Sequence, residues 1–374
     1  MMSKVNNIAH RLVPLCLLLV ALAGCRKEDT PAPDTPSGTP IAFTPETATK
    51  AAVSGVEDIQ NDPNGFRVWS WFQGTTSGPM FGADGTPVTY DTATSAWTYE
   101  PTRYWMNGIY DFAAIYPAAI TTGEGEAATT TAIAGTYAPA TAGGAPVLTV
   151  PNFDATTQAD LLVAFNNGTD GTGINGATPP SVVNLNFKHA LTKINIRIEQ
   201  DLSEDEENHY FIKRVALSGI KVNGTYTASL NNAVLNGSWD IATSRVSSFY
   251  KTFEGDGEQL KQIDENGKIV IDENGNPIAN PIKVWGEDGL LLIPQEVGTD
   301  AMQVLIEYNY QLDGSDIKTS RSITTYLPAS TDLWQSGKAI TYVIPIAEPS
   351  DIIFAKPTIE PWGGEPQTGD TIII

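Results

Sequence analysis

The chain has 374 residues, 41% hydrophobic and 17% charged, which is long enough for two ordinary domains and too apolar for a disordered polymer. Twenty-two Lys and Arg stand against 43 Asp and Glu, and a net charge of -21 is repelled by phosphate backbones and anionic headgroups, so nucleic acid is a poor partner. The two cysteines, Cys16 and Cys25, both lie near the start, and only three histidines occur, His10, His189 and His209. The body of the chain therefore has no material for a disulfide or a thiolate metal site, and little for a histidine-based centre; neither a metal nor a cofactor is expected.

Lys4 and Arg11 precede an apolar run that ends in small residues before Cys25, the pattern of a secretory signal. The run from Leu12 to Gly24 is 13 residues, short of the roughly 20 that a bilayer-spanning helix needs. Leu22-Ala23-Gly24-Cys25 resembles the lipobox of bacterial lipoproteins. That resemblance implies a diacylglyceryl group on the Cys25 thiol and cleavage between Gly24 and Cys25, so residues 1–24 are read as the signal peptide. Arg26-Lys27-Glu28-Asp29 resembles the acidic signal that exports some lipoproteins to the outer face of the outer membrane, which makes the cell surface the expected location. Residues 25–40, with Pro31, Pro33, Pro36 and Pro40, form a polar tether that cannot pack a core.

Beyond Pro40 no long stretch sustains a 3.6-residue period, and short runs rich in Thr, Val, Ile and aromatics alternate with Gly and Pro. The body reads as all β. Strands are expected at Phe66 to Phe72, Ile109 to Tyr116, Asp160 to Phe165, Val182 to Ile198, Phe211 to Lys221, Gly289 to Ile293, Met302 to Leu312, Ile340 to Ile346 and Ile352 to Phe354. Thr121 to Gly144 and Asn166 to Pro180, dominated by Gly, Ala and Thr, are expected as long surface loops. Val183, Leu185, Phe187, His189 and Leu191 share one alternation phase, whereas Ile194, Ile196 and Ile198 share the other. A slip of this kind flips every following side chain, so the chain must bulge there or change sheets. The domain boundary is placed at this point, giving 41–190 and 191–374.

Asp264-Glu265-Asn266-Gly267 recurs as Asp272-Glu273-Asn274-Gly275. Two tight hairpin turns account for the repeat, since Asn-Gly accepts positive φ without steric cost. A calcium loop is the sharper alternative, but the alternating acidic ligands and distal Glu of an EF-hand are missing.

Several blocks, taken in order, resemble the fimbrillin family, the type V pilins of Gram-negative fimbriae. They are Tyr99-Glu100-Pro101-Thr102-Arg103-Tyr104-Trp105 with Tyr110-Asp111-Phe112 and Tyr116-Pro117, then Asp160-Leu161-Leu162-Val163-Ala164, then Phe187-Lys188-His189-Ala190-Leu191-Thr192-Lys193-Ile194. Leu292-Ile293-Pro294-Gln295, Trp334 to Lys338 with Ile340-Thr341-Tyr342, and Trp362-Gly363 continue the pattern. The resemblance implies two tandem transthyretin-like β-sandwich domains with Greek-key connections, and assembly with other fimbrial subunits rather than catalysis. It also implies that a protease cuts after a basic residue, that the first strand leaves with the lipid-bearing segment, and that a neighbour's strand fills the groove. Ile41-Ala42-Phe43-Thr44 matches that strand, and Lys50-Ala51 is the candidate cut, Lys50 being the only basic residue between Lys27 and Arg67. The family's better-known cuts follow Arg, so Lys50 leaves the protease unassigned, and an uncut, lipid-bearing anchor subunit is the alternative. Ile372, Ile373 and Ile374 are either a donated strand or a piece of the chain's own last sheet. A host or bacterial surface receptor would suit a tip subunit.

A rival reading is a surface glycan binder, because Trp69, Trp71, Trp97, Tyr99, Tyr104, Trp105, Tyr110 and Tyr116 crowd the first half. Aromatics at strand spacing more often fill a core, and an exposed row would decide the matter. No Gly-x-Ser-x-Gly elbow, His-Glu-x-x-His pair or phosphate loop occurs, so an enzyme is not expected. His189 is expected to be packed in the phase of Phe187, and His209, behind Glu204-Asp205-Glu206-Glu207, to lie in a solvated turn.

Overall fold

A computed structural model describes residues 38–47, 55–140, 145–169, 171–203, 207–231, 234–243, 246–266, 268–297, 302–312, 314–329, 334–347 and 357–362. The described chain is almost wholly β, as the punctuation of short runs by Gly and Pro leads one to expect.

The first strand, β1 (Phe43–Thr47), is followed by a short helix, α1 (Val56–Asn61), whose Asp58 side chain accepts a hydrogen bond from the Gly55 N–H at its start. β2 (Phe66–Gln73) and β3 (Ser77–Pro79) pair, as do β4 (Thr86–Asp91) and β5 (Ala96–Thr98). β6 (Ile109–Tyr116) leads to a separate ribbon of β7 (Ala119–Thr122) and β8 (Thr129–Ala132). Then come β9 (Thr136–Ala138), β10 (Val147–Asp154), β11 (Leu162–Asn166), β12 (Ile174–Asn175) and β13 (Val183–His189). The second half holds β14 (Thr192–Gln200), β15 (His209–Lys221), β16 (Asn223–Asn231), β17 (Val234–Ile241), β18 (Val246–Thr252) and β19 (Glu258–Gln259). It ends with β20 (Ile282–Lys283), β21 (Leu290–Leu292), β22 (Gln303–Gln311), β23 (Lys318–Tyr326), β24 (Lys338–Ile346) and β25 (Thr358–Pro361).

The first sheet runs β1-β13-β11-β6-β2-β4-β5, with β12 added on β6 and β3 on β2. A second is β17-β16-β10-β9, a third β20-β14-β24-β25 with β21 on β14, and a fourth β18-β15-β22-β23 with β19 on β15. In β6 both faces are covered: Tyr110, Phe112 and Ala114 join a core with Phe43, Phe66, Val68 and Phe187, while Ala113 and Ile115 join another with Trp69, Val150 and Val163. That second core continues without a break through Ile194, Ile196, Val215, Tyr226, Ile306 and Tyr342.

The phase slip marks a change of sheet. The chain leaves the first sheet at His189 and enters the third at Thr192, so the two halves of the expected run from Val182 to Ile198 bury opposite residue sets. The second sheet joins β9 and β10 to β16 and β17 and so draws on residues from both sides of residue 190. Two expected loops are corrected. Thr121 to Gly144 contains the end of β7, all of β8 and the strand β9, held because Thr favours extended backbone and Ile133 is buried beneath them. Within Asn166 to Pro180, β12 extends the first sheet and buries Ile174. His209 is also corrected: it opens β15 opposite Gln311 and is half-buried rather than lying in a solvated turn. The run Ile352 to Phe354 lies outside the described residues.

The Asp-Glu-Asn-Gly repeat forms turns. Asp264 Oδ1 accepts from the N–H groups of Asn266 and Lys268 at 2.8 Å each, and Asp272 Oδ1 does the same for Asn274 and Asn276 at 2.8 and 2.9 Å. These bonds hold both carboxyls below the ordinary range, and Gly275 takes φ of 88°. Among the described residues no group of acids and histidines is placed to hold a metal ion.

Candidate assembly groove at the first strand

β1 sits at the edge of the first sheet and pairs with β13 in parallel, from Phe43 opposite Val183 to Thr47 opposite Phe187. Just before it the backbone is gripped on both sides. Ile41 N donates to Arg103 O at 2.8 Å, Trp105 N donates to Thr39 O at 3.1 Å, and Val183 N donates to Ala42 O at 2.8 Å. The Tyr99 hydroxyl donates to Ile41 O at 2.7 Å, and burial pushes its pKa up to about 12, which keeps it a donor at any physiological pH. The segment 99–105 thus forms a clamp across residues 39–42.

Two side chains anchor the strand. Ile41 is 1% and Phe43 3% exposed. The Phe43 ring meets Phe66, Phe81, Tyr99 and Phe112 at centroid distances of 6.4, 5.5, 5.6 and 5.7 Å, mostly edge to face. Burying an Ile and a Phe contributes about 3–6 kcal/mol, to which the ladder adds modestly. Ala42 and Thr44 of the expected strand are half-buried on the alternate phase. The structure therefore brings Ile41, Ala42, Phe43 and Thr44 together with the Tyr99–Trp105 block, a partnership that sequence spacing did not show. Gly24, Cys25, Lys50, Ala51, Ile372, Ile373 and Ile374 lie outside the described residues.

A second meeting of distant blocks occurs where the halves join. His189, 7% exposed, places Nδ1 3.1 Å from Asp160 Oδ1, and its ring stacks on Trp362 at 4.0 Å with an interplanar angle of 9°. The Trp239 Nε1–H and the Ser336 hydroxyl both donate to Ala190 O at 2.8 Å. His189 is thus a packed, oriented group, as its phase implied, and this cluster is a structural seam. The first-half aromatics are core as well: Trp69, Trp105, Tyr110 and Tyr116 are buried, Trp71, Trp97 and Tyr99 are half-buried, and Tyr104 alone of the eight is exposed. No sugar-stacking row exists among them.

A model of fimbrillin-like proteins matches residues 49–362, most of the chain. The chain belongs to the fimbrillin-like family. Its fold is shared with a fimbrial protein from Bacteroides vulgatus, at a TM-score of 0.54 and 16% identity, over 86% of this chain and 99% of that one. A protein from Bacteroides uniformis assigned to cell adhesion aligns over 87% of this chain and 99% of its own at 16% identity, with a TM-score of 0.43. Among curated proteins none matches significantly. The family match begins just after β1, so the clamp and the seam fall within it while the clamped strand, with Ile41 and Phe43 of one core, does not.

Proposed function

We propose that this fimbrillin-like chain is a structural subunit of a cell-surface fimbrium, exported as a lipoprotein on Cys25 and assembled by strand exchange. Family membership supports the subunit role and the surface location. The observation that carries the exchange is β1 itself: an edge strand that pairs with β13 alone along its length and is anchored by Ile41 and Phe43. Cutting at Lys50-Ala51 would separate this strand from the body that the family match covers. Its departure would open the backbone groups of β13 and an aromatic pocket, which a strand of another subunit can fill by β-augmentation. The tandem reading of two domains, 41–190 and 191–374, fits the change of sheet between His189 and Thr192, with the seam at His189 joining them. No residue is assigned covalent chemistry after export.

The test is the N-terminal residue and intact mass of the protein recovered from the outer surface of its own cells. Ala51 at the N-terminus is expected, and Lys50→Ala should leave a lipidated, unpolymerised precursor. Fibres of normal length from that variant would remove the assigned cut. An acylated Cys25 on wild-type protein within fibres would instead identify an uncut anchor.

A further inference from the structure

Four of the seven large exposed apolar side chains described in the second half lie around the start of β15, while Val234, Tyr250 and Tyr326 lie elsewhere. Ile263, Ile271, Leu312 and Ile317 are 50, 58, 54 and 74% exposed, and Ile263 lines a cleft of about 500 Å³ together with Lys318, the neighbour of Ile317 in the chain. β15 starts there with His209 and runs about 40 Å before Val222 O accepts from Ala155 N of the first half. The cleft thus lies far from the seam and from the strand groove.

Its wall is polar and balanced. Lys261 and Lys318 stand against Asp256 and Glu258, and Gln259, Gln262 and Asn280 add three amides around the Phe211 ring. Lys261 is 2% exposed and donates to Asn208 O at 2.8 Å, so the fold desolvates an ammonium to place it here. Gly257, at φ of 99°, makes the turn between the two carboxylates, and any Cβ there would meet Ile212 O at 2.5 Å. Lys318 Nζ lies 3.9 Å from the Phe211 ring centroid and 2.7 Å from Asp256 Oδ2. One face of the ring is therefore covered, at the cleft, by an electropositive group. Lys318 is tied there by a carboxylate that is 73% exposed, a tether that costs little to release.

A charged ligand would meet as many like charges as opposite ones, and an apolar one would desolvate the amides and carboxylates without compensation. A neutral, hydroxyl-rich ring suits the wall: its polarised C–H face can take the place of Lys318 on Phe211, and its hydroxyls can both donate to Asp256 or Glu258 and accept from Gln262, Asn280 or the lysines. We infer that this cleft is a binding site for a neutral carbohydrate, which would give the subunit a receptor-binding function in addition to assembly. The site does not depend on strand exchange.

The test is saturation-transfer difference NMR of the purified chain with the methyl glycosides of glucose, galactose, mannose, fucose and N-acetylglucosamine. Transfer to at least one is expected. Phe211→Ala should weaken it at least tenfold and Gln262→Ala, an exposed position that leaves the core untouched, at least threefold; Thr324→Ala, on the same sheet away from the cleft, should change nothing. Absence of transfer from all five would overturn the inference. So would transfer that survives Gln262→Ala and Phe211→Ala, or tighter binding of methyl glucuronide than of methyl glucoside, which would make the cleft an anion site.

Discussion

β1 and β23 each close one edge of a sheet, and they are held in opposite ways. β23 makes nine register pairs with β22, is joined to it in sequence as a hairpin, and is exposed along most of its length, with Ile323 packed against the core. β1 makes five pairs, has no hairpin to its partner, and is held by Ile41 and Phe43 in a pocket of aromatic rings. Ladder length and attachment are thus different things. A strand held by generic backbone bonds needs a covalent turn to stay, whereas one held by side chains in pockets can be removed and replaced by another with the same pattern. Lys318 and Arg321 on the long exposed edge also deter unwanted pairing there.

The largest test of that contrast is Phe43→Ala in the uncut chain. It should cost about 3–5 kcal/mol in urea unfolding, because it empties a pocket lined by four rings. Ile323→Ala on β23 should cost about 1–2 kcal/mol despite the longer ladder; a larger loss than at Phe43 would show that pairing, not pocket burial, holds the edges. Within the sheet of β1, Asp111 on β6 is 6% exposed, and burial alone raises its carboxyl above the usual range. A raised folded-state pKa means that the native chain binds more protons than the unfolded one above about pH 4, so stability falls as pH climbs through that window. Asp111→Asn should therefore raise stability at neutral pH and flatten its dependence above about pH 4; an unchanged pH profile would deny Asp111 this role. Smallest is Glu287→Gln, which breaks the exposed Lys283–Glu287 pair of 2.7 Å and should shift stability by less than about 0.5 kcal/mol.

Much of the framework was legible because alternation was strong where one face is buried. β2, β6, β15, β22 and β24 lie within a few residues of their expected bounds, and the slip after Leu191 located the change of sheet. β23, with Lys318-Thr319-Ser320-Arg321-Ser322, escaped notice because neither face is buried enough to impose a period. β10 escaped because Pro151 and Asn152 interrupt its alternation; in the fold they occupy a register shift between Val150 and Phe153, with Asn152 at φ of 53°. At the groove, Ile41 and Phe43 could be found by resemblance, but the grip of Tyr99, Arg103 and Trp105 on residues 39–42 is a pairing of segments some 60 residues apart, and no local pattern encodes it.

The parallel register of β1 on β13 carries a geometric consequence for any fibre built by the proposed exchange. A strand supplied by a neighbour to the same pockets in the same register would run in the same direction as β13, and where the donor takes its own strand from a third subunit rather than back from its acceptor, donor and acceptor surfaces differ. Such a contact is heterologous and repeats without closing on itself. The resulting filament would have one end with an unfilled groove and another with an undonated strand, a polarity inherited from one-way donation.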